Sequence, residues 1–395
     1  MISTGFGYIT FVFTILAIYL CLTTKYEKSK FLKTIPPMLI LYLFFVICRN
    51  IGVFSFAEGA TVASTKKAMV NYGVPLMVYA IIVQNDPRKI AKLGPKMIMT
   101  FLVTALSIIV GAIISAKVFG GLMNIPEIPE SYGTMIASFI GGPENLFAVA
   151  DGLGLSENAL GNVLILIELA YSPWLIFLMT IIPMLYKKYN KFANAELDTV
   201  LAAGERIVLD EREKRQANVK DLFIVIGVGF LVQAICRLLG DLLQSTIGWP
   251  SGVCMYLLVT LVAMFLGMWT NLGANPFIKP FATFICLTQV SIGTLGVDLS
   301  YFKDAGWMIA GSFTIILIHA IIMVIYGKLT RTDLYTMACA SIAAIGGNSS
   351  APVVAGSYAH LSEAYVAIAS VMAAFGSCIG TVGGLLISRL LHMIL

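Results

Sequence analysis

The sequence predicts an all-α polytopic membrane protein, and three observations lead to that prediction. Of the 395 residues, 58% are hydrophobic and 12% are charged, whereas a soluble domain carries roughly 25% charged residues. The apolar residues form blocks of about 20, the length at which a helix crosses a bilayer core. In each half of the chain, one such block is interrupted by a glycine pair with polar residues beside it.

The apolar blocks divide the chain into two membrane regions of similar size. A densely charged stretch separates them, and its composition suits a linker. We therefore predict membrane repeat 1 over residues 1–187, a cytoplasmic linker over 188–219 and membrane repeat 2 over 220–395. The predicted membrane segments are residues 5–23, 35–54, 69–84, 97–118, 132–153, 158–186, 221–240, 252–270, 278–296, 307–327, 334–356 and 363–393.

The two interrupted blocks are the most informative part of the sequence. Residues 138–150 read SFIGGPENLFAVA, and residues 345–355 read IGGNSSAPVVA. Glycine pairs and proline break a helix. In hydrocarbon such a break is tolerated only where the freed backbone groups face protein or water. Broken segments at matching places in two halves are typical of the binding site of a transporter.

The two halves also align beyond the glycine pairs. Leu-Ser-Glu at 155–157 matches Leu-Ser-Glu at 361–363, downstream of each break. Earlier in each half, residues 86–94 and 298–306 share the same aspartate-to-glycine spacing between two apolar helices. Matches in the same order predict an internal repeat, which secondary transporters commonly have.

Loop charges predict how the two repeats are oriented. Lysine and arginine cluster at 25–33, 88–96, 187–220 and 328–331, which the positive-inside rule assigns to the cytoplasm. If every segment crossed, these loops would lie on both sides of the membrane. We therefore predict two inverted repeats, each with about five crossing helices and one broken segment that dips in and returns. The alternative keeps the broken segments as discontinuous crossing helices and places the linker outside.

The first broken segment offers oxygen ligands for a cation. Glu144 and Asn145 directly follow the break, and the carbonyl of Gly141 is released from the helix. An ionisable group at membrane depth is expensive, so a function is the default expectation. Glu168 is a second acid in an apolar helix, and we predict it as a further cation or proton ligand. The alternatives are that Glu144 only caps a half-helix and that Glu168 is a hydrogen-bonded packing residue.

The second broken segment carries only neutral donors. A half-helix beginning just after them, at the Ala-Pro pair, would point its N–H groups at an anion such as a carboxylate. We therefore predict that the substrate is bound by Gly346, Gly347, Asn348, Ser349 and Ser350. The alternative is that the asparagine and serines are ordinary N-caps.

Enzyme signatures are missing from the sequence. It contains no P-loop, no H-E-x-x-H motif and no nucleophile elbow. We therefore predict that the protein is not an enzyme and needs no cofactor or metal other than Na⁺ or H⁺ as a coupling ion. The net charge of +5 suits loops that face an anionic lipid leaflet, and it does not indicate a nucleic-acid partner.

The chain contains two G-G-x-x-[N/S] segments, and an apolar helix ends at Asp86 and another at Asp298. In these features the chain resembles the YjcL-like family of bacterial integral membrane proteins, and the resemblance covers nearly its whole length. That family is distantly similar to the superfamily of bile acid:sodium symporters, glutamate:sodium symporters and cation:proton antiporters. The resemblance implies a core that carries the broken segments and a scaffold through which two copies form a homodimer. The chain lacks the adjacent carboxylate pair of the antiporter pattern, which favours symport.

Together these observations predict a secondary active transporter in a bacterial cell (inner) membrane. The predicted activity is Na⁺- or H⁺-coupled symport of a small organic solute, such as a carboxylate, an amino acid or a short peptide, by alternating access. The predicted partners are that solute and membrane lipid. The alternatives are an uncoupled channel or exporter and a cation:proton antiporter.

Overall fold

A computed structural model describes most of the chain as helix. The described residues are 1–26, 37–56, 59–85, 87–123, 127–196, 204, 207, 219–270, 272–295, 306–358 and 364–395. Asp86, Asp298 and the second Leu-Ser-Glu match lie outside them. Most of the predicted linker also lies outside them, although its first residues continue a helix as far as Ala193.

Numbered in chain order, the α-helices of the described residues are α1 (Gly5–Lys25), α2 (Pro37–Asn50), α3 (Val62–Ile82), α4 (Pro87–Lys92), α5 (Gly94–Phe119), α6 (Ile128–Gly141), α7 (Pro143–Leu153), α8 (Glu157–Ala193), α9 (Val219–Ile247), α10 (Ser251–Trp269), α11 (Ile278–Thr294), α12 (Gly306–Thr330), α13 (Leu334–Ile345), α14 (Gly347–Ser357) and α15 (Ala364–Ile394). Single 3₁₀ turns lie at Gly120–Leu122 and Leu272–Ala274.

Seven helices in the described part of the chain are long and apolar enough to cross a membrane, namely α1, α5, α8, α9, α10, α12 and α15. A bilayer core of about 30 Å needs roughly 20 apolar residues as a helix, and these helices have 19 to 37 residues. The chain is therefore an all-helical protein embedded in a membrane, as the sequence predicts. α11 and α13 are shorter apolar helices.

Both glycine pairs break the helix, as predicted. α6 ends at Gly141 and α7 begins at Pro143, with Gly142 between them at a φ of 93°. α13 ends at Ile345, and α14 begins at Gly347, whose φ is 61°. Glycine adopts such φ values at no steric cost, which explains its presence at both turning points. We call α6–α7 the first hairpin and α13–α14 the second hairpin.

The two ends of each hairpin contact each other. Ser156, which follows the first hairpin, donates to the carboxylate of Glu127, which precedes it, at 2.6 Å. Tyr335, at the start of the second hairpin, stacks on Tyr358, at its end, with ring centroids 4.2 Å apart. The base of each hairpin is therefore closed by direct contact between its two ends.

The second hairpin opens at one end of the molecule, which we call the basic end. There the Lys96 ammonium of α5 donates to the carbonyl of Arg331, which follows α12, at 3.3 Å. The Asn190 side chain of α8 accepts from the N–H of Leu334 in α13 at 3.0 Å. These contacts bring the start of α5 and the ends of α8 and α12 to the base of the second hairpin.

The first hairpin opens at the other end, which we call the opposite end. Glu130 of α6 pairs there with His392, near the C-terminus of α15, at 2.7 Å. Phe119, at the end of α5, stacks on Trp307, at the start of α12. The two hairpins therefore enter the helical bundle from opposite ends.

Small residues let α6 and α15 approach closely. A Cβ on Gly380 would lie 2.8 Å from the Cα of Gly141, and a Cβ on Gly384 would lie 2.5 Å from the carbonyl oxygen of Gly133. Small residues four apart allow this spacing between membrane helices. We call this contact the glycine seam; it consists of Gly133, Ala137 and Gly141 of α6 with Gly376, Gly380 and Gly384 of α15.

Candidate binding site at the hairpin tips

The tips of the two hairpins meet in the buried interior. A Cβ on Gly347 would lie only 3.1 Å from the Cα of Gly142. Behind the tips, a Cβ on Gly376 of α15 would lie 2.5 Å from the carbonyl oxygen of Ile140. The structure thus brings together the two stretches that the sequence singles out, and glycine is what permits the close approach.

Glu144 is the buried acid at this junction, with 5% of its surface exposed. It lies in the first turn of α7, where the helix dipole stabilises a negative charge. Its Oε1 accepts a hydrogen bond from Ser377 Oγ at 2.9 Å and one from Asn348 Nδ2 at 3.4 Å. Asn348 Nδ2 also donates to Ser377 Oγ at 2.7 Å. The predicted cation ligand and a predicted substrate residue therefore share one hydrogen-bonded cluster.

Asn145 fastens the first hairpin to α15 and is 1% exposed. Its Nδ2 donates to the carbonyl of Gly141 at 2.8 Å. Its Oδ1 accepts from the backbone N–H and the hydroxyl of Thr381, at 2.9 and 2.7 Å. The carbonyl that the helix break releases is thus bonded, and the amide uses both of its polar atoms.

The cluster is rich in oxygen. Ser377 Oγ lies 2.9 Å from Glu144 Oε1 and 3.3 Å from the carbonyl oxygen of Gly141, and the amide oxygen of Asn145 lies one residue further along α7. Hard cations prefer such oxygen ligands, and a buried carboxylate can alternatively hold a proton. Among the described residues, no group of three or more His, Cys, Asp or Glu side chains could hold a metal ion.

The second hairpin differs from its prediction in where its second helix starts. α14 begins at Gly347 and not at the Ala-Pro pair, because the left-handed Gly347 completes the turn within one residue. Asn348 and Ser350 consequently lie in its first turn. The N-cap is Gly346, and no side chain caps the helix, so Asn348 and Ser350 are not ordinary N-caps. The side chain of Ser349 lies outside the described part of the structure.

Glu168 lies on α8 and is 5% exposed. Its Oε2 has no hydrogen-bond partner among the described residues, and no described hydrogen bond joins it to Glu144. Tyr171, about one turn further along α8, shares a hydrogen bond of 2.5 Å with Ser350 of the second hairpin. An orphaned carboxylate oxygen at membrane depth is costly, so Glu168 stays a predicted ligand for a proton or a cation.

Ser377 and Thr381 are site residues that sequence reasoning missed. They are four positions apart on α15 and therefore lie on one face of that helix. The signal that could have identified them is the run GSCIGT at 376–381, in which small residues recur every four positions. That pattern predicts the close approach of another membrane helix.

A polar cavity of about 650 Å³ lies beside the cluster, between α3, α7, α11 and the start of α8. Its rim includes the exposed residues Ser64 and Lys67. Its floor includes Phe147, which is 4% exposed and lies about one turn along α7 from Glu144. Phe147 therefore lines the polar cavity about one helical turn from Glu144.

Comparison with known proteins identifies the family of the chain. The model of a family described as a protein of unknown function, DUF819, matches residues 10–394. No curated protein matches the chain. The family match includes both hairpins, α15 and the helices around the polar cavity.

Proposed function

We propose that this chain, which belongs to the DUF819 family of proteins of unknown function, is a secondary active transporter of a small organic solute. One observation carries the proposal, namely that two broken helices from different halves of the chain meet at a buried carboxylate. In secondary transporters, discontinuous helices of two repeats form the site for solute and coupling ion.

In this proposal the first hairpin holds the coupling cation, Na⁺ or H⁺. Glu144 supplies the charge, Asn145 and the carbonyl of Gly141 supply neutral oxygens, and Glu168 is a second ligand. The hydrogen-bond distances of 2.7 to 3.3 Å around Ser377 and Asn145 support this assignment. A cation bound there would neutralise a charge that is otherwise expensive at membrane depth.

The second hairpin holds the solute in this proposal, through the backbone of Gly346 and Gly347 and the side chains of Asn348, Ser349 and Ser350. The uncapped N-terminus of α14 supports this assignment, since it offers N–H groups to an anionic group. The bond between Asn348 and Glu144 gives a direct route by which cation binding changes the position of a solute ligand. Symport needs such a link between the two sites.

The proposed architecture is a pair of inverted repeats, each with five crossing helices and one re-entrant hairpin. Three features support it. The hairpins enter from opposite ends. Each packs against the last helix of the other half, α6 on α15 and α13 on α8. The fourth crossing helices of the two halves, α5 and α12, pack on each other.

We further propose that the protein lies in the inner membrane of a bacterium, with its basic end in the cytoplasm, and forms a homodimer. The basic loops support the orientation, and the quoted motifs support the relation to the YjcL-like family and to the symporter and antiporter superfamily. The proposed homodimer and the absence of a cofactor rest on the sequence alone.

The function is tested first by a thermal-shift screen of the purified protein against small carboxylates, amino acids and dipeptides, in Na⁺ and in K⁺. A ligand raises the melting temperature by an amount set by its concentration relative to its Kd. We expect a solute whose effect depends on the cation. That solute should then enter proteoliposomes only under a Na⁺ or H⁺ gradient.

Glu144→Gln tests the role of the buried carboxylate. It keeps the size of the side chain and removes its charge, so coupled uptake should collapse. Undiminished coupled uptake would remove Glu144 from the cation site. Solute flux that is independent of any cation gradient in the unmodified protein would indicate a channel or an uncoupled exporter instead.

A further inference from the structure

The polar cavity contains charges that the hairpin tips do not use. Its α3 wall carries Lys66 and Lys67, and the wall formed by α7 and the start of α8 carries Asp151 and Glu157. Lys66 is buried and pairs with the exposed Glu157 at 2.6 Å. Positive and negative groups thus line different walls of one cavity.

Internal pairing leaves one lysine and two carboxylate oxygens, Asp151 Oδ1 and Glu157 Oε1, without a partner among the described residues. Lys67 is exposed and pairs with no side chain in the described part of the chain. Asp151 Oδ2 accepts from the Tyr256 hydroxyl at 2.7 Å, and no described group donates to Asp151 Oδ1. A ligand that carried only one sign of charge would satisfy either the lysine or the carboxylate oxygens and leave the other without a partner.

Gln289 adds a buried hydrogen-bond acceptor and is 3% exposed. Its Nε2 donates to the carbonyl of Met69 at 3.1 Å. A carbonyl can only accept, so the amide nitrogen must face Met69 and Oε1 must point away from it. Oε1 has no partner among the described residues. A buried acceptor left unpaired is costly, and a ligand that donates hydrogen bonds would satisfy it.

The polar cavity also has apolar lining residues, beside the polar Ser64, Asn71 and Ser156. Val70 and Val74 of α3 and Leu160 of α8 join Phe147 below the charged groups. Ligand sites of this size combine an apolar lining with a few polar groups that fix orientation. The polar cavity therefore offers a cationic group, acceptors for a donor, and an apolar surface.

We infer that the polar cavity binds an amino acid in its zwitterionic form, with an apolar side chain. The carboxylate faces Lys67, with Lys66 behind it, and the ammonium donates to Asp151 and to Gln289 Oε1. The side chain packs on Phe147 and the two valines. This inference rests on the proposed transport function, because it names the class of solute that would be transported.

The test is calorimetric titration of the purified full-length protein with three probes: L-leucine, L-leucine methyl ester and N-acetyl-L-leucine. The ester lacks the carboxylate charge and the acetylated probe lacks the ammonium. We expect L-leucine to bind, and each derivative to bind about tenfold or more weakly, because each loses one charge-assisted contact.

Variants of the protein test which residue binds the carboxylate of the ligand and which binds its ammonium. Lys67→Gln should weaken L-leucine about tenfold and leave the methyl ester unchanged, whereas Asp151→Asn should weaken L-leucine and leave N-acetyl-L-leucine unchanged. Lys117→Gln is the matched control, since Lys117 is exposed, near the same end and outside the cavity. Binding to that variant should equal binding to the unmodified protein.

Two results would overturn the inference. N-acetyl-L-leucine binding as tightly as L-leucine would make the polar cavity an anion site, and failure of all three probes would exclude a zwitterion. Coupled uptake of some other solute would leave the proposed function standing without this inference. Zwitterion binding that Lys67→Gln weakens, with no uptake into proteoliposomes, would support the site and contradict transport.

Discussion

At the scale of the residue, the hairpin junction combines one carboxylate with neutral groups that hold it in place. Glu144 receives hydrogen bonds from Ser377 and Asn348, and no described cationic side chain pairs with it. A lysine or arginine there would cancel the charge permanently. Neutral donors fix the position of the carboxylate and leave its charge available for the proposed coupling ion.

Asn145→Leu should lower the stability of the protein. The change leaves the Thr381 hydroxyl and the Gly141 carbonyl without their amide partner in a buried place. Each buried orphan costs about 1–3 kcal/mol, so we expect a clear fall in the melting temperature of the purified protein. Thr381→Val should lower the melting temperature less in the Asn145→Leu background than in the unmodified protein, because the hydrogen bond between the two residues is already lost there. Additive effects would contradict the described pairing.

At the scale of the element, the glycine seam decides how close the first hairpin comes to α15. Residues four apart on both helices are glycine or alanine, so backbone meets backbone. That closeness brings the Ser377 and Thr381 side chains within hydrogen-bond distance of the hairpin tip. The seam is therefore the element-level cause of the geometry around Glu144.

Gly380→Ala should destabilise the protein by about 1–3 kcal/mol, the usual cost of overpacking. The added Cβ would lie 2.8 Å from the Gly141 Cα and 2.9 Å from the Ala137 carbonyl oxygen, and neither backbone atom can move cheaply. Gly383→Ala is the matched control on the same helix.

The Cβ of the control would meet only the flexible end of the Ile140 side chain. Alanine stabilises a helix by about 1 kcal/mol relative to glycine, and this gain should offset the cost of that contact. Thermal unfolding of the purified protein measures both variants. Equal melting temperatures for Gly380→Ala and Gly383→Ala would show that the seam is looser than described.

Sequence reasoning located the two breaks because they depend on local chemistry. The glycine pairs at 141–142 and 346–347 are followed by proline or polar residues, which disfavours a continuous helix, whereas the pair at 383–384 lies in an apolar run inside α15. The sequence predicts that α14 starts at the Ala-Pro pair, residues 351–352, whereas the helix starts at Gly347. The left-handed φ of Gly347, which completes the turn, is not visible in the sequence. Ser377 and Thr381 were missed because their roles depend on packing against α6, more than 200 residues away along the chain. The contact of Gln289 with the carbonyl of Met69, 220 positions away along the chain, likewise depends on tertiary packing.

At the scale of the whole molecule, the topology makes a prediction about sidedness. Between Lys117, near the end of α5, and Asn194, after α8, lie the first hairpin and α8. If the hairpin returns, only α8 crosses and the two residues lie on opposite sides of the membrane. If the broken segment crosses, two crossings intervene and they share a side.

Cysteine labelling distinguishes these topologies in a background with Cys21→Ser, since Cys21 is the exposed native cysteine among the described residues. Lys117→Cys should react with a membrane-impermeant maleimide in intact cells. Asn194→Cys should react only in inverted vesicles, because the proposed orientation places the basic loops in the cytoplasm. Labelling of both sites from one side would exclude the returning hairpin, and the reverse pattern would exclude the proposed orientation.

The glycine seam also bears on how the molecule is made. α6 is synthesised in the first half of the chain, whereas α15, its partner, is synthesised more than 200 residues later. Glu144 and Ser377 are separated by 233 positions, which at 5–20 residues per second is a wait on the order of tens of seconds. During that wait the first hairpin has inserted without the helix that holds its tip. The hydrogen-bonded cluster around Glu144 is thus complete only once α15 has been synthesised, and a chain that stops short of α15 should lack that cluster and be prone to degradation.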